Sequence, residues 1–392
     1  MVRISRYWKS LLPLLALTVV IVSCSRGGTP VTPPAPADPV PTNYSLAWKN
    51  VGETDFSGPA SNLSLKVYSG VPYVAYISLT DNKAYVMKYV EANASWEKVG
   101  EAEATESTVS SLSMAIDSTG NIYIAYADAD NGDVPRARMF SALGSAWSDL
   151  GISISAKSAA FISSDIFGDV FYVAYREEAG SNPVTVKKYN SVGSSWDQVG
   201  AAGFSDGDVQ YVSLHIFDDG ANGVPYVAYM DEAHGNKITV MNFDGVGWSP
   251  VGATGFSDGE ASYVTVAVDK NGVPYVSYRD ASLLKAVSMK YNAGSNVWKA
   301  VGSNGVSDGD AAYVSMFVYN TALNTAPIIC YQDAEHENKL TTKIGDGTAW
   351  FAMGLPGLSN NPVKETSIFV YDANSFVAYI EDATDEIKVE KF

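Results

Sequence analysis

Cysteine, histidine and positive charge are all scarce in this chain of 392 residues. Its two cysteines stand at positions 24 and 330, so they cannot supply the disulfide framework that stabilises many small exported domains. The 26 basic residues are outnumbered by 43 acidic ones, which gives a net charge of −17 at pH 7. A nucleic-acid-binding surface and a polybasic lipid-binding surface both need clustered positive charge, so the composition excludes both classes.

Long apolar runs are equally rare, and the clearest one covers residues 11–23. Arg3, Arg6 and Lys9 precede it, as in the positive segment of an export signal. Thirteen residues containing a proline are too few to cross a membrane as a helix, which takes about 20. The run is therefore typical of a signal peptide.

The end of this run, Ile21-Val22-Ser23-Cys24, resembles the bacterial lipobox. The resemblance implies a lipoprotein signal peptide over residues 1–23 and attachment of fatty acyl lipid, such as palmitate, at Cys24. An ordinary secretory signal is the alternative. Residues 24–43 are rich in proline and glycine and predict a tether to the membrane. We expect a lipoprotein of the bacterial cell envelope, on the periplasmic or cell-surface side, and Ser25 resembles the residue that favours outer-membrane sorting.

Tryptophan recurs at a nearly constant interval through the rest of the chain. Seven tryptophans lie 48 to 52 residues apart, several of them in a W-x-x-V-G phrase. They are Trp48, Trp96, Trp147, Trp196, Trp248, Trp298 and Trp350. A fixed period of this length is the mark of a repeat architecture.

Within each period the apolar residues alternate with period two, which predicts strands. The repeat after residue 260 shows four of them, at 261–269, 273–280, 285–292 and from Trp298. An Asp-x-x-Gly turn at 269–272 suits a tight hairpin between the first two. Four-stranded antiparallel units at this spacing predict a β-propeller. The rival fold, a parallel β-helix, would need shorter coils and stacked parallel strands.

The number of strand sets predicts how the ring closes. Seven sets of three inner strands begin near residues 62, 110, 159, 209, 261, 311 and 364. The first tryptophan phrase precedes all of them, and the last set has no tryptophan phrase after it. The count balances if the N-terminal strand completes the last blade. We therefore predict an all-β domain over residues 44–392, a seven-bladed propeller of four-stranded antiparallel blades.

The tryptophans then fall on outer strands, where we expect them to pack between neighbouring blades. Full burial of an indole removes roughly 150–250 Å² from water. A ring of tryptophans that stack on sugars is the functional alternative. Because the residue recurs in every repeat at the same strand position, the structural interpretation is favoured.

The chain resembles bacterial exported propellers built from W-x-x-V-G, G-F-S-D-G and P-Y-V-A-Y phrases. The second phrase occurs at 203–207 and 255–259, and the third at 72–76 and 225–229. This resemblance implies a fold and no activity, since propellers include enzymes, lectins and scaffolds. Kelch repeats differ in a paired glycine that is missing here. Sialidases differ in their turn tryptophan and arginine triad, so no catalytic residue is carried over.

Acidic residues concentrate in the loops expected at one end of the ring. The fourth-to-first and second-to-third loops share that end and hold 28 of the 43 acidic residues. A binding surface there would use Asp206, Asp231, Asp258, Asp280, Asp308 and Asp333. Solubility and turn formation explain the same residues without a ligand. Electrostatic recognition of a partner is the functional alternative.

Clustered carboxylates are also hard oxygen ligands that suit Ca²⁺. The nearest sequence to a calcium loop is that of Asp128, Asp130 and Asp133. Its glycine, Gly132, falls one place early for the EF-hand pattern, so the match is partial. Ca²⁺ is the cofactor that the sequence suggests, and no other is indicated.

Support for catalysis is limited. Of the three histidines, His215 lies within a predicted strand, and His234 and His336 occupy matching loop positions in two repeats. The favoured function is a lipid-anchored, monomeric binding or scaffold domain that contacts a protein or glycan partner through the acidic end. An enzyme acting on polysaccharides or glycoconjugates through a carboxylate pair is the alternative. Divergent loops at 104–108, 156–160 and 358–365 keep that alternative open. A calcium-stabilised structural domain is the third hypothesis.

The calcium hypothesis predicts that the melting temperature rises with Ca²⁺ and falls with a chelator, because a ligand that binds only the folded state stabilises it. Differential scanning fluorimetry in CaCl2 and in EDTA measures this response. An unchanged melting temperature in both would remove the hypothesis.

Overall fold

The computed structural model describes residues 47–178, 180–302, 305–321 and 324–392. The described residues belong to the second of the two units into which the chain divides, Ser45–Phe392. The expected signal peptide, the tether and Cys24 lie outside the described residues. Within the described part, no helix is both long enough and apolar enough to span a membrane.

The second unit is a ring of seven four-stranded antiparallel sheets, as the repeat predicts. Blade 1 comprises β2 (Ala60–Tyr68), β3 (Val71–Ser78), β4 (Ala84–Val90) and β5 (Ser95–Lys98); blade 2 comprises β6 (Val109–Ile116), β7 (Ile122–Asp128), β8 (Val134–Ser141) and β9 (Ala146–Asp149); blade 3 comprises β10 (Ala159–Phe167), β11 (Val170–Glu177), β12 (Val184–Asn190) and β13 (Ser195–Gln198); blade 4 comprises β14 (Val209–Asp218), β15 (Gly223–Asp231), β16 (Lys237–Phe243) and β17 (Trp248–Pro250). Blade 5 comprises β18 (Ala261–Val268), β19 (Pro274–Asp280), β20 (Lys285–Asn292) and β21 (Val297–Ala300); blade 6 comprises β22 (Ala311–Asn320), β23 (Thr325–Asp333), β24 (Lys339–Gly345) and β25 (Trp350–Ala352); blade 7 comprises β26 (Val363–Tyr371), β27 (Asn374–Glu381), β28 (Ile387–Lys391) and β1 (Lys49–Asn50).

The N-terminal strand closes the ring. Strand β1 pairs antiparallel with β28, with Lys49 opposite Lys391 and Asn50 opposite Glu390. The N–H of Val51 extends the pairing by donating to the carbonyl of Val389 at 2.8 Å. The predicted closure, in which the first tryptophan phrase completes the last blade, is confirmed.

The tryptophans connect each blade to the one before it. Each of the seven tryptophans in the described residues donates its indole N–H to a backbone carbonyl just beyond the outer strand of the preceding blade. The pairs are Trp96 to Val51 (2.8 Å), Trp147 to Val99 (3.0 Å), Trp196 to Leu150 (2.9 Å), Trp248 to Val199 (2.9 Å), Trp298 to Val251 (2.8 Å), Trp350 to Val301 (2.7 Å) and Trp48 to Met353 (2.6 Å). The structural interpretation of the tryptophans is therefore confirmed.

A steric constraint explains why the W-x-x-V-G phrase ends in glycine. Gly200 of this phrase and Gly354 of the related phrase W-F-A-M-G have φ values of +68° and +82°, in the left-handed region that favours glycine. A Cβ on either residue would lie 2.7 Å from Cδ1 of the next tryptophan, Trp248 or Trp48. The valine carbonyl accepts the indole N–H and the glycine makes room for the ring, so the phrase encodes the contact between blades.

The hydrophobic core lies between the blades. One cluster, for example, joins Leu65 and Val74 of blade 1 to Phe376 and Ile380 of blade 7. Each second strand also buries a tyrosine at the same position: Tyr76, Tyr126, Tyr175, Tyr229, Tyr278, Tyr331 and Tyr379. The unpaired Cys330 is fully buried in such a cluster, and burial raises the pKa of its thiol to about 12. Cys330 is thus a small residue of the core.

Helix is almost absent from the described residues. In the described part, three single turns of 3₁₀ helix follow second strands, at Ala129–Asn131, Glu232–His234 and Ala334–His336. These single turns leave the domain all-β, as the sequence predicts. They lie on the end of the ring where the second-to-third loops emerge.

We predict that Trp298→Phe destabilises the fold by about 1–3 kcal/mol, because the buried carbonyl of Val251 loses its hydrogen-bond donor while the aromatic bulk remains. Urea denaturation followed by circular dichroism measures the change. The control is Tyr371→Phe, whose ring is 39% exposed, and we expect it to change stability by less than about 0.5 kcal/mol. Equal midpoints for the wild type and Trp298→Phe would contradict the role of the indole N–H.

Candidate functional site

The first strand of each blade lines the central channel, and a β-bulge interrupts it near its start. Between Gln210 and Ser213 of β14, for example, the register with β15 shifts. Seven equivalent positions surround the channel mouth, one in each blade. Six of them hold bulge residues, Asn62, Phe161, Tyr211, Tyr263, Tyr313 and Glu365, and blade 2 has Ser111 at this position, directly after its bulge at Ser110. Six of them, all except Ser111, have φ between +47° and +56°. We call these seven positions the bulge ring, and it lies at the acidic end.

Four consecutive members of the bulge ring are aromatic, and together they form a crescent. Phe161, Tyr211, Tyr263 and Tyr313 belong to blades 3 to 6, and all four are half-buried. Successive ring centroids are 5.6, 5.5 and 4.9 Å apart. A left-handed backbone costs a bulky residue roughly 1–3 kcal/mol and bulges re-aim side chains. The aromatic crescent is thus held at the channel mouth with its outer faces partly open.

Two arginines from second strands lie beside the aromatic crescent. The guanidinium of Arg176 stands 4.9 Å from the ring centroid of Phe161, and its Nε donates to Glu178 at 2.9 Å. Arg279 makes a two-point bond to Asp310, at 2.8 and 2.9 Å. The bond from Arg279 lowers the pKa of the Asp310 carboxyl. Both cations are therefore paired with carboxylates in this structure.

The surface around the aromatic crescent is concave. One hollow of about 470 Å³ is lined by Phe161 and Tyr211 together with Asn62 of the opposite side. Two hollows of about 300 Å³ each flank Arg279, one of them against Tyr263 and Asp310. Apolar rings with a few convergent polar groups are the usual lining of a ligand site.

Glu365 occupies the bulge ring outside the aromatic crescent. Its Oε2 accepts the N–H of Leu63 at 2.9 Å, so the carboxyl of blade 7 is bonded to the first strand of blade 1. Burial raises the pKa of Glu365. Its geometry assigns it to the junction between the last and first blades.

The six aspartates predicted to form a binding surface divide into two groups. Asp206, Asp258 and Asp308 are exposed in the loops that enter blades 4, 5 and 6. Asp231, Asp280 and Asp333 end second strands and are buried. A buried carboxylate offers no contact to a macromolecule, so only the first group lies on the acidic surface.

The buried group stabilises turns. The carboxylate of Asp280 accepts four hydrogen bonds, from Gly259 N–H, Ser282 N–H and hydroxyl, and Leu283 N–H, at 2.6 to 3.2 Å. The equivalent carboxylates, those of Asp231 and Asp333, instead each contact a threonine and a histidine.

Blades 4 and 6 each contain one such group of an aspartate, a threonine and a histidine. Asp231 accepts from Thr239 at 2.7 Å and lies 2.8 Å from Nδ1 of His234. Asp333 accepts from Thr341 at 2.7 Å and lies 2.9 Å from Nδ1 of His336. The matching positions of the two histidines are thereby explained as turn contacts.

The three aspartates of the candidate calcium loop bond to different partners. Asp128 pairs with Arg136 at 2.7 Å, Asp130 accepts from the hydroxyl of Thr108 at 2.7 Å, and Asp133 accepts from the hydroxyl of Ser110 at 2.6 Å. In the described ranges, no group of three or more His, Cys, Asp or Glu residues is placed to hold a metal ion. The Ca²⁺ hypothesis stays a prediction.

The aromatic crescent was not predicted from the sequence, although a signal was present. Four repeats carry an aromatic residue followed by a branched apolar residue and Ser or Thr, as FIS, YVS, YVT and YVS after residues 160, 210, 262 and 312. Read as simple alternation, these aromatics belong to an ordinary strand. The bulge that turns them toward the channel mouth has no glycine or proline to mark it.

Fold and site together define a seven-bladed β-propeller with an aromatic channel mouth. No family model and no curated protein sequence matches the chain significantly. Solved structures do match. A polysaccharide lyase of family PL25, an ulvan lyase bound to -[GlcA(1-4)Rha3S]-, has a TM-score of 0.60 and 15% identity, over 87% of this chain and 95% of that chain.

Two further structures agree with this result. A PL25 ulvan lyase gives a TM-score of 0.57 at 14% identity, over 87% of this chain and 95% of that chain. The polysaccharide lyase Uly1 gives 0.54 at 9% identity, over 87% and 91%. At these identities the likeness is one of fold.

We predict that Asp280→Asn lowers the free energy of unfolding by about 2–3 kcal/mol, because an amide brings donors against the N–H groups that the carboxylate now accepts. Asp258→Asn, on the same side of blade 5 but exposed, is the matched control, and we expect it to change stability by less than about 0.5 kcal/mol. Chemical denaturation of both variants checks this, and similar losses would show that burial does not separate the two groups.

Proposed function

We propose that this domain binds a polysaccharide across the channel mouth, with sugar rings stacked on the aromatic crescent. The observation that carries the proposal is the run of four half-buried aromatic residues, Phe161, Tyr211, Tyr263 and Tyr313, in adjacent blades. The flat faces of aromatic rings offer apolar contact area at small conformational cost, and tyrosine adds a hydrogen-bonding hydroxyl. The polysaccharide lyases among structures of this fold support a glycan as the ligand class.

The charge around the aromatic crescent favours an uncharged or amino-sugar polymer. Asp206, Asp258 and Asp308 are exposed in the entering loops, and both nearby arginines are already paired with carboxylates. A polyanion would meet like charge there, whereas a neutral or cationic chain would not. The proposal thus keeps the acidic end as the contact surface and makes the aromatic crescent its centre.

Attachment through Cys24 belongs to the same proposal. A lipid-anchored envelope protein with a glycan-binding face would hold a polysaccharide close to the membrane. The support for this part is the resemblance of residues 21–24 to a lipobox.

We predict that a glycan array probed with residues 44–392 gives binding to neutral or amino-sugar polymers. Tyr263→Ala and Tyr313→Ala should each weaken binding to the best hit about tenfold, because central aromatic residues carry much of the energy of an interface. Affinity electrophoresis in gels containing that polymer measures the change. Tyr371→Ala is the control, since Tyr371 ends β26 at the other end of the channel.

Two outcomes would contradict the proposal. Silence on the array would remove glycan binding, and undiminished binding by both tyrosine variants would remove the aromatic crescent as its site. Incubation with ulvan and with the polymer that binds tests the enzyme alternative. New unsaturated or reducing ends, lost on substitution of residues at the channel mouth, would replace the binding function with a catalytic one.

A further inference from the structure

On each first strand, the residue two places after the bulge-ring member carries a side-chain hydroxyl group. These are Ser64, Ser113, Ser163, Ser213, Thr265, Ser315 and Ser367. Several accept a backbone N–H of the following blade, as Ser163 does from Leu214 at 3.0 Å and Ser213 from Val266 at 3.1 Å. A side chain that recurs in all blades and joins neighbours in this way has a structural role.

The residues two places further along each first strand differ from blade to blade. They are Lys66, Ala115, Asp165, His215, Ala267, Phe317 and Phe369, which we call the channel ring. Polar residues stand in blades 1, 3 and 4 and aromatic residues in blades 6 and 7. Six members, all except Ala115 of blade 2, line a cavity of about 710 Å³. The cavity runs from the hydroxyl residues toward the end opposite the aromatic crescent.

On the polar side of the channel ring, Asp165 and His215 lie next to each other. The two carboxylate oxygens of Asp165 accept the N–H groups of Ile166 at 2.9 Å and Ile216 at 2.8 Å. Nδ1 of His215 lies 3.4 Å from Oδ2 of Asp165. Burial lowers the pKa of His215, which favours the neutral ring. A neutral imidazole has one ring nitrogen that donates and one that accepts, so His215 offers one acceptor to a hydroxyl group.

Lys66, on the same polar side of the channel ring, has no carboxylate partner among the described residues. Its ammonium forms no ion pair or hydrogen bond with any residue in the part of the chain that the structure describes, and it lies 5.8 Å from the ring centroid of Phe369. The residue is half-buried within the channel wall. A cation removed from water without a carboxylate partner is costly, and an anion that enters the channel would relieve that cost.

The aromatic side faces the same space. The rings of Phe317 and Phe369 are 4.9 Å apart at a tilt of 56°. Phe217 also lines the cavity, below His215 on its strand. An apolar wall, a lysine with no carboxylate partner among the described residues and one hydrogen-bond acceptor together fit a small amphipathic molecule, and the volume lies in the usual range of about 300–1,000 Å³ for ligand sites.

We propose that the central channel binds a small cyclic hydroxycarboxylate, the chemistry of a uronic acid. The carboxylate would pair with Lys66, the apolar face of the ring would pack on Phe317 and Phe369, and a hydroxyl would donate to His215. This site is separate from the channel mouth and does not depend on polysaccharide binding there.

Isothermal titration calorimetry of residues 44–392 with sodium D-glucuronate and with D-glucose tests the proposal. We expect saturable one-site binding of glucuronate and at least tenfold weaker binding of glucose, because only the former carries the anion for Lys66. Lys66→Met should weaken glucuronate binding about tenfold or more. Lys88→Met, the same substitution on the third strand of the same blade, is the matched control and should leave it unchanged.

Two further variants separate this site from the channel mouth. Phe317→Ala should weaken glucuronate binding, while Tyr263→Ala should leave it intact. Thermal denaturation of each variant shows whether it is folded. Absence of saturable glucuronate binding, or equal binding by folded Lys66→Met, would overturn the proposal. Loss of binding in Tyr263→Ala would overturn it too, since it would place the ligand at the mouth.

Discussion

The contact of each tryptophan with the blade before it is the interaction on which this ring depends. A single four-stranded sheet of this chain cannot cover its own two faces, so every blade needs both neighbours. The indole of Trp248 shows how the contact works, since its N–H reaches the carbonyl of Val199 and its ring covers Gly200. Seven such contacts return to their starting point only because Trp48 reaches back to Met353. The short tryptophan motif, repeated along the sequence, thereby determines the number of blades in the ring.

Repetition and its interruption separate structural from functional residues around the channel. Hydroxyl residues recur in all seven blades, and several of them bond to the backbone of the next blade, so they hold neighbouring first strands together. The positions on either side of them vary. Those toward the acidic end are aromatic in four adjacent blades, and those deeper in the channel combine Lys66 and His215 with two phenylalanines. Because the fold requires none of these particular side chains, they are the residues that a ligand would select.

Much of the fold could be predicted because it is encoded in local, repeated patterns. The predicted start of each strand set falls within two residues of the observed one, and the closing strand was deduced from a count of tryptophan phrases. The candidate site was harder. Asp258 and Asp280 both read as loop acids, yet the second is buried because the loop of Gly259 folds over it. Tyr263 read as a strand residue because a bulge leaves no trace in composition.

The brevity of β1 has a mechanical consequence. Only Lys49 and Asn50 pair within this strand, and the residues around them add the bonds from Val51 and Trp48. The other six blades have outer strands that are continuous with the third strand of the same sheet, so tension along the chain is shared. A pull applied through the chain before Trp48 is instead carried first by this two-residue strand. The element that closes the ring is also the place where force would open it.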